Sequence, residues 1–116
     1  MRFIVSTSTL LKHLQAVSGA LSTSAVLPIL ENFLFEIKDG NLVISATDLQ
    51  TSMTTALSVD SKEDGKIAVP SKILLDTLKT LAEQPISFSV DENTFAIEIS
   101  AGDGKYKLSG ENGDDF

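Results

Sequence analysis

Val5-Ser6-Thr7-Ser8-Thr9-Leu10-Leu11-Lys12-His13-Leu14 is answered 64 residues later by Val69-Pro70-Ser71-Lys72-Ile73-Leu74-Leu75-Asp76-Thr77-Leu78. In each stretch an extended apolar segment meets a hydroxyl residue suited to capping a helix: Thr7 or Ser8 in the first, Ser71 in the second. Leucines at helical spacing follow. Leu10, Leu14, Val17 and Leu21 form one apolar stripe, and Leu74, Leu78 and Leu81 form the other. Lys12, Gln15, Ala16 and Gly19 fall on the opposite side of the first helix, which Gly19 and Ser22-Thr23-Ser24 should end.

Outward from each helix the period changes from that of a helix to that of a strand. Arg2–Ser6 and Ile67-Ala68-Val69 read as the strands that precede the helices. After the first helix, Phe33, Phe35 and Ile37 alternate with Leu34, Glu36 and Lys38, and Asp39-Gly40 is a tight-turn pair leading to Leu42, Ile44 and Ala46. A further strand is expected from about Leu49 to Val59, before a turn at Glu63-Asp64-Gly65. After the second helix, Ile86, Phe88 and Val90 alternate and Asp91-Glu92-Asn93 turns. Phe95, Ile97 and Ile99 alternate back, and Asp103-Gly104 turns into Tyr106 and Leu108. Each half therefore reads strand, helix, three strands. The expectation is an α+β domain built from an internally duplicated β-α-β-β-β unit, with two helices side by side on antiparallel sheet. Their outward faces should form one surface. Lys12, Lys72 and Lys79 all occupy it, the last two separated by two helical turns, or about 10 Å.

Composition narrows the function. The 116 residues fit one domain, and 42% of them are hydrophobic, enough for a core. No apolar run approaches a membrane span, and the opening Met1-Arg2-Phe3-Ile4-Val5-Ser6 has no apolar signal region. A cytoplasmic protein without membrane contact is expected. The absence of cysteine removes disulfides, thiolate nucleophiles and cysteine metal sites. A net charge of −7 argues against a protein that grips nucleic acid over its whole surface, but leaves room for a local basic strip. Glu111-Asn112-Gly113-Asp114-Asp115-Phe116 reads as an unfinished linker, so a longer native protein is expected.

Enzymatic chemistry finds no foothold. The single histidine, His13, lies within the first helix without a second imidazole, and the acids gather in turns, where aspartate is usually solvated. There is no glycine-rich phosphate loop, nucleophile elbow or zinc-binding histidine pair. No catalytic residue, metal ligand or cofactor is expected. The phenylalanines sit at strand periods that suit the core rather than base stacking. Tyr106 and Leu108 share one face of the last strand, and Lys105 and Lys107 share the other. The pair fits ordinary core, or a contact with another subunit along an exposed strand edge.

Leu27-Pro28-Ile29-Leu30 with Asn32 and Leu34, then Thr47-Asp48-Leu49, add a resemblance. Together with the opening strand, Leu10-Leu11-Lys12 and Val69-Pro70, they resemble the bacterial sliding clamp, the β subunit of DNA polymerase III. The likeness runs the length of the chain. It implies a DNA-clamp fold and the first of three domains, residues 1–116 here, with the second and third absent. It implies a replication processivity factor in which two subunits close head to tail into a ring around duplex DNA, catalysing nothing. DNA polymerase III and the clamp loader would bind through the absent domains. Carried over by position, Lys12, Lys72 and Lys79 resemble DNA-facing residues. Ser24 stands where the family often has an arginine, and could still offer its hydroxyl and backbone to phosphate. Tyr106 and Leu108 match an apolar pair at the subunit interface, and Lys105 a basic residue that pairs with the partner's acids. Asp103 departs from a basic position in that pattern. A tether that slides should attract phosphates weakly and without direction, which suits lysine better than arginine; the chain has one arginine, Arg2. The alternative is a stand-alone small α+β module binding a ligand or peptide, which needs apolar residues left over once the core is assigned. An acid-dependent hydrolase would need converging carboxylates.

Overall fold

The computed structural model describes residues 1–18, 31–47 and 52–116. Within them the order is β1 (Arg2–Ser6), α1 (Thr7–Val17), β2 (Asn32–Lys38), β3 (Asn41–Thr47), β4 (Ser52–Ser58), β5 (Asp60–Ser61), β6 (Gly65–Pro70), α2 (Ser71–Lys79), β7 (Pro85–Val90), β8 (Ala96–Ala101), β9 (Gly104–Ser109) and β10 (Glu111–Asn112), closed by a 3-10 turn at Gly113–Asp115. The duplicated strand–helix–three-strand unit is present, in the expected α+β class.

The strands form two antiparallel five-stranded sheets, ordered β5-β1-β7-β8-β9 and β10-β6-β2-β3-β4. The two halves exchange their first strands. β1 pairs with β7 of the second half, Phe3 opposite Phe88, and β6 pairs with β2 of the first, Val69 opposite Phe33. Neither half can therefore complete a sheet alone. The aromatic rings knit the sheets together: Phe3 stacks on Phe88 with centroids 4.6 Å apart, and Phe35 from the other sheet lies 6.3 Å and 6.1 Å from the two. Such pairs add about 0.5–1.5 kcal/mol each beyond the area they bury.

The helices start one residue earlier than their sequence suggests. Ser6 caps α1, its Oγ accepting from the Thr9 amide at 3.3 Å, and Pro70 occupies the cap position of α2 without a side-chain bond. Thr7 and Ser71 thus become first helical residues and spend their hydroxyls on neighbouring chain. Thr7 Oγ1 donates to Gln84 O at 2.8 Å, at the entrance to β7, and Ser71 Oγ donates to Glu31 O, at the entrance to β2. Each helix start is fastened to the strand it exchanges with.

The 64-residue offset holds through the helices and then shortens. β2, β3 and β4 begin at residues 32, 41 and 52, whereas β7, β8 and β9 begin at 85, 96 and 104, because five residues (80–84) separate α2 from β7 and many more separate α1 from β2. Asp39 and Gly40 both have positive φ, 52° and 79°, and close β2–β3 as the two-residue hairpin expected of this pair. Two expectations change. Phe95 is not a strand residue but ends the β7–β8 turn with φ of 62°, so β8 starts at Ala96. The tail that reads as linker is built into a sheet: β10 pairs with β6, Glu111 opposite Ala68 and Asn112 opposite Ile67. Asn112 Oδ1 then accepts from the Asp114 amide at 3.0 Å and starts the final turn. Polar, acidic composition conceals a strand that needs only backbone pairing.

Candidate nucleic-acid interface and strand edges

Within α1 and α2 the apolar stripe is buried, and this decides which residues face outward; Leu81 lies beyond α2 and is half-buried, and Leu21 lies outside the described residues. Leu10, Leu14 and Val17 of α1 and Leu74 and Leu78 of α2 are at most 2% exposed. α1 packs against β3 and β4 and α2 against β6 and β9, and the helices touch each other. Lys12, Gln15 and Ala16 are exposed on α1, and Lys72, Asp76 and Lys79 on α2. At about 100° per residue, Lys72 and Lys79 lie within about 20° of each other around the axis. Lys12, Lys72 and Lys79 have no ion pair among the described residues. By contrast Lys66 lies 3.8 Å from Glu36 and 3.5 Å from Asp114. Ser24, Leu27–Leu30 and Asp48-Leu49 lie outside the described residues.

His13 is half-buried with Nδ1 2.8 Å from Thr9 O, one turn back, which accounts for a solitary helical histidine. Among the described residues no three His, Cys, Asp or Glu side chains are placed to hold a metal. Asp91 is held clearly below the usual aspartate range. The Asn93 amide donates to its Oδ1 at 2.8 Å and the Thr94 amide at 3.2 Å, favouring the charged form. These bonds shape the β7–β8 turn.

β9 is the edge of its sheet, as expected, but its two apolar residues part company. Leu108 is 6% exposed and belongs to the core. Tyr106 is half-buried, packed against that core, with its ring laid back over Gly104, where an added Cβ would come within 3.2 Å of the phenol oxygen. Period-two alternation puts both on one face, yet only the residue nearer the strand's exit is fully covered. Lys105, on the other face, approaches Glu98 of β8 at 3.9 Å with its side chain 70% exposed, a pair weak enough to exchange for another acid. The sequence reading missed a second edge. β4 closes the other sheet in the position that β9 holds in the first, and its Met53 is exposed. The duplication was the available signal: an edge at the end of one half implies an edge at the end of the other.

Two β-α-β-β-β halves that exchange their first strands, with their helices in contact and each half's last strand at a sheet edge among the described residues, define a duplicated α+β module. All of residues 1–116 match the family profile described as DNA polymerase III beta subunit, N-terminal domain, and the chain belongs to that family. It is 34% identical over 117 residues to the beta sliding clamp of Vibrio harveyi, covering 100% of this chain and 80% of that sequence. It is 38% identical over 84 residues to the beta sliding clamp of Haemophilus influenzae, covering 72% of this chain and 23% of the relative. A crystal structure of the DNA polymerase III subunit beta from Pseudomonas aeruginosa superposes with a TM-score of 0.92 at 30% identity, over 100% of this chain and 31% of that one. The chain thus spans under a third of the Haemophilus and Pseudomonas proteins. No described helix is long and apolar enough to cross a membrane.

Proposed function

We propose that this chain is one segment of a ring-shaped replication clamp that encircles duplex DNA and tethers a replicative polymerase, working in the cytoplasm and catalysing no reaction. Residues 1–116 form the first of three such domains in each subunit, and two subunits join head to tail. Polymerase and clamp loader dock on domains other than this one. The helices face the duplex, with Lys12, Lys72 and Lys79 as diffuse phosphate contacts and Ser24 as a further phosphate contact. β9 meets the partner subunit: Tyr106 contributes the apolar contact, Lys105 an ion pair, and Leu108 anchors the strand from the core side.

The observation that carries the reading is the outward helix surface with lysines that, among the described residues, have no ion pair, set on a module with β9 and β4 at its sheet edges. Lysines on flexible stems attract phosphate without reading bases, and a net charge of −7 limits adhesion elsewhere. Topological linkage, rather than tight binding, then keeps the ring on DNA. The test is the salt dependence of duplex binding. Three phosphate contacts give a slope of log affinity against log salt of about −2.7, independent of base sequence. Replacing Lys12, Lys72 and Lys79 together by glutamine should remove most of that slope. Binding that is unchanged by the triple replacement, or that depends on base sequence, would overturn the reading.

A further inference from the structure

The duplication pairs Lys12 of α1 with Asp76 of α2, 64 residues on, within the stretch where that offset holds. Each residue points directly away from its helix's buried stripe: Lys12 lies between Leu10 and Leu14, and Asp76 between Leu74 and Leu78. Both are exposed. At these matched outward positions the first half presents a cation and the second an anion. Asp76 also falls between Lys72 and Lys79 along α2, about 6 Å from the level of one and about 4.5 Å from the other. All three border one open groove with Glu31 and Glu111. Asp76 has no hydrogen bond or ion pair among the described residues, so its charge is not spent on holding the helix. Glu111, by contrast, is engaged, accepting from Asn32 Nδ2 at 2.8 Å.

We infer that Asp76 is an electrostatic brake on the DNA-facing surface: it weakens the hold of Lys72 and Lys79 on phosphate, so that the duplex is guided and not gripped. This rests on the DNA-facing reading of the helices and adds the residue that sets how strongly that surface holds. A phosphate brought to the two lysines stands about 7 Å from the Asp76 carboxylate. In a water-like dielectric the repulsion is near the thermal energy, a factor of about three in affinity for each unit of charge. It fades as added salt shortens the screening length.

The experiment is a duplex titration of the whole chain at low salt, read by fluorescence anisotropy of labelled DNA, for wild type, Asp76→Asn and Asp76→Lys. Asp103→Asn and Asp103→Lys serve as controls: Asp103 lies in the β8–β9 turn, exposed and without a partner among the described residues, and the changes in net charge are the same. Asp76→Asn should bind about threefold more tightly and Asp76→Lys about eightfold, with a salt slope steeper by about one for the lysine. The Asp103 variants should change affinity by less than half as much. In a background lacking Lys72 and Lys79, Asp76→Asn should lose most of its effect. Equal gains from both positions would mean that net charge alone acts, and would overturn the brake. So would no gain, or a loss, at Asp76 with the helix shown intact by circular dichroism. Failure of the underlying reading looks different: removal of the three lysines would leave wild-type affinity unchanged. If neither wild type nor Asp76→Lys binds at the lowest salt, both ideas are wrong.

Discussion

Leu108→Asp should unfold this domain, whereas Tyr106→Asp, two residues earlier on β9, should leave it folded. At 6% exposure Leu108 is part of the core that fills the space beneath its sheet. Truncation of such a leucine costs about 2–5 kcal/mol. A carboxylate in its place adds several more, because it is moved from water into an apolar setting without a partner. The total, about 5–10 kcal/mol, rivals the whole stability of a domain this size, about 5–15 kcal/mol. Tyr106 is half-buried and its ring lies along the strand toward Gly104, so an aspartate there keeps its charge in water. Its loss should cost about 1–2 kcal/mol. Urea unfolding followed by circular dichroism separates the cases: Tyr106→Asp gives a lower midpoint at unchanged slope, and Leu108→Asp gives no cooperative transition. A folded Leu108→Asp protein with a midpoint near wild type would refute the assignment and return Leu108 to the strand's outer surface. If the prediction holds, Tyr106 is the residue at which to test subunit contact, and Leu108 is unusable for that purpose.

Gly110 is where the chain passes from β9 to β10, and so from one sheet to the other. A Cβ there would meet Phe95 O, at the end of the β7–β8 turn, at 2.8 Å and Ala68 O of β6 at 2.9 Å, backbone atoms on the two sides of that passage. Gly110→Ala should therefore cost about 2–3 kcal/mol; a loss below about 0.5 kcal/mol in chemical denaturation would show that the sheets can part there freely. Asp91 should titrate below the ordinary aspartate range, since two backbone amides donate to it. Because its folded pKa is depressed, the stability it lends is complete above the unfolded value and is lost as pH falls through the folded one. Carboxyl chemical shifts followed against pH would check this, and a normal midpoint would contradict the turn geometry. In Asp91→Asn the same turn should lose its acid sensitivity, which the pH dependence of the unfolding midpoint would show.

Much of the fold is legible because helix and strand impose different periods on the same apolar alphabet. Leu10, Leu14 and Val17 announce a helix and its buried side together, and Phe33, Phe35 and Ile37 do the same for a strand. Asp39-Gly40 specifies its own hairpin, since both residues tolerate positive φ. What stays hidden is pairing between elements far apart in sequence. Nothing in Phe3 or Val69 says that β1 crosses to β7 or β6 to β2, because backbone hydrogen bonds carry no residue code. β10 escapes notice for the same reason, as Glu111 and Asn112 join their sheet through main-chain groups. Phe95 misleads because its apolar side chain fits the strand period while its backbone, with φ of 62°, does not.

The candidate site was legible on the helices and only half legible at the edge, and one physical difference explains both outcomes. On an amphipathic helix the buried stripe determines its opposite, so locating Leu74 and Leu78 also places Lys72, Lys79 and Asp76 in solvent. At a sheet edge, burial depends on what lies above the strand. α2 packs against β9 and the core closes over Leu108, while Tyr106, one pleat along, remains half open. Alternation cannot report that gradient. The same logic bears on the charge. An acidic protein that handles a polyanion looks contradictory when charge is summed over the molecule, but a phosphate at the helices responds to charges within about a Debye length, about 10 Å. There Lys12, Lys72 and Lys79 stand against Asp76 and, around the same groove, Glu31 and Glu111, while acids farther away are largely screened. On the proposed reading, a surface so nearly balanced would hold DNA only weakly, and weak holding is what a sliding ring would require of its inner wall.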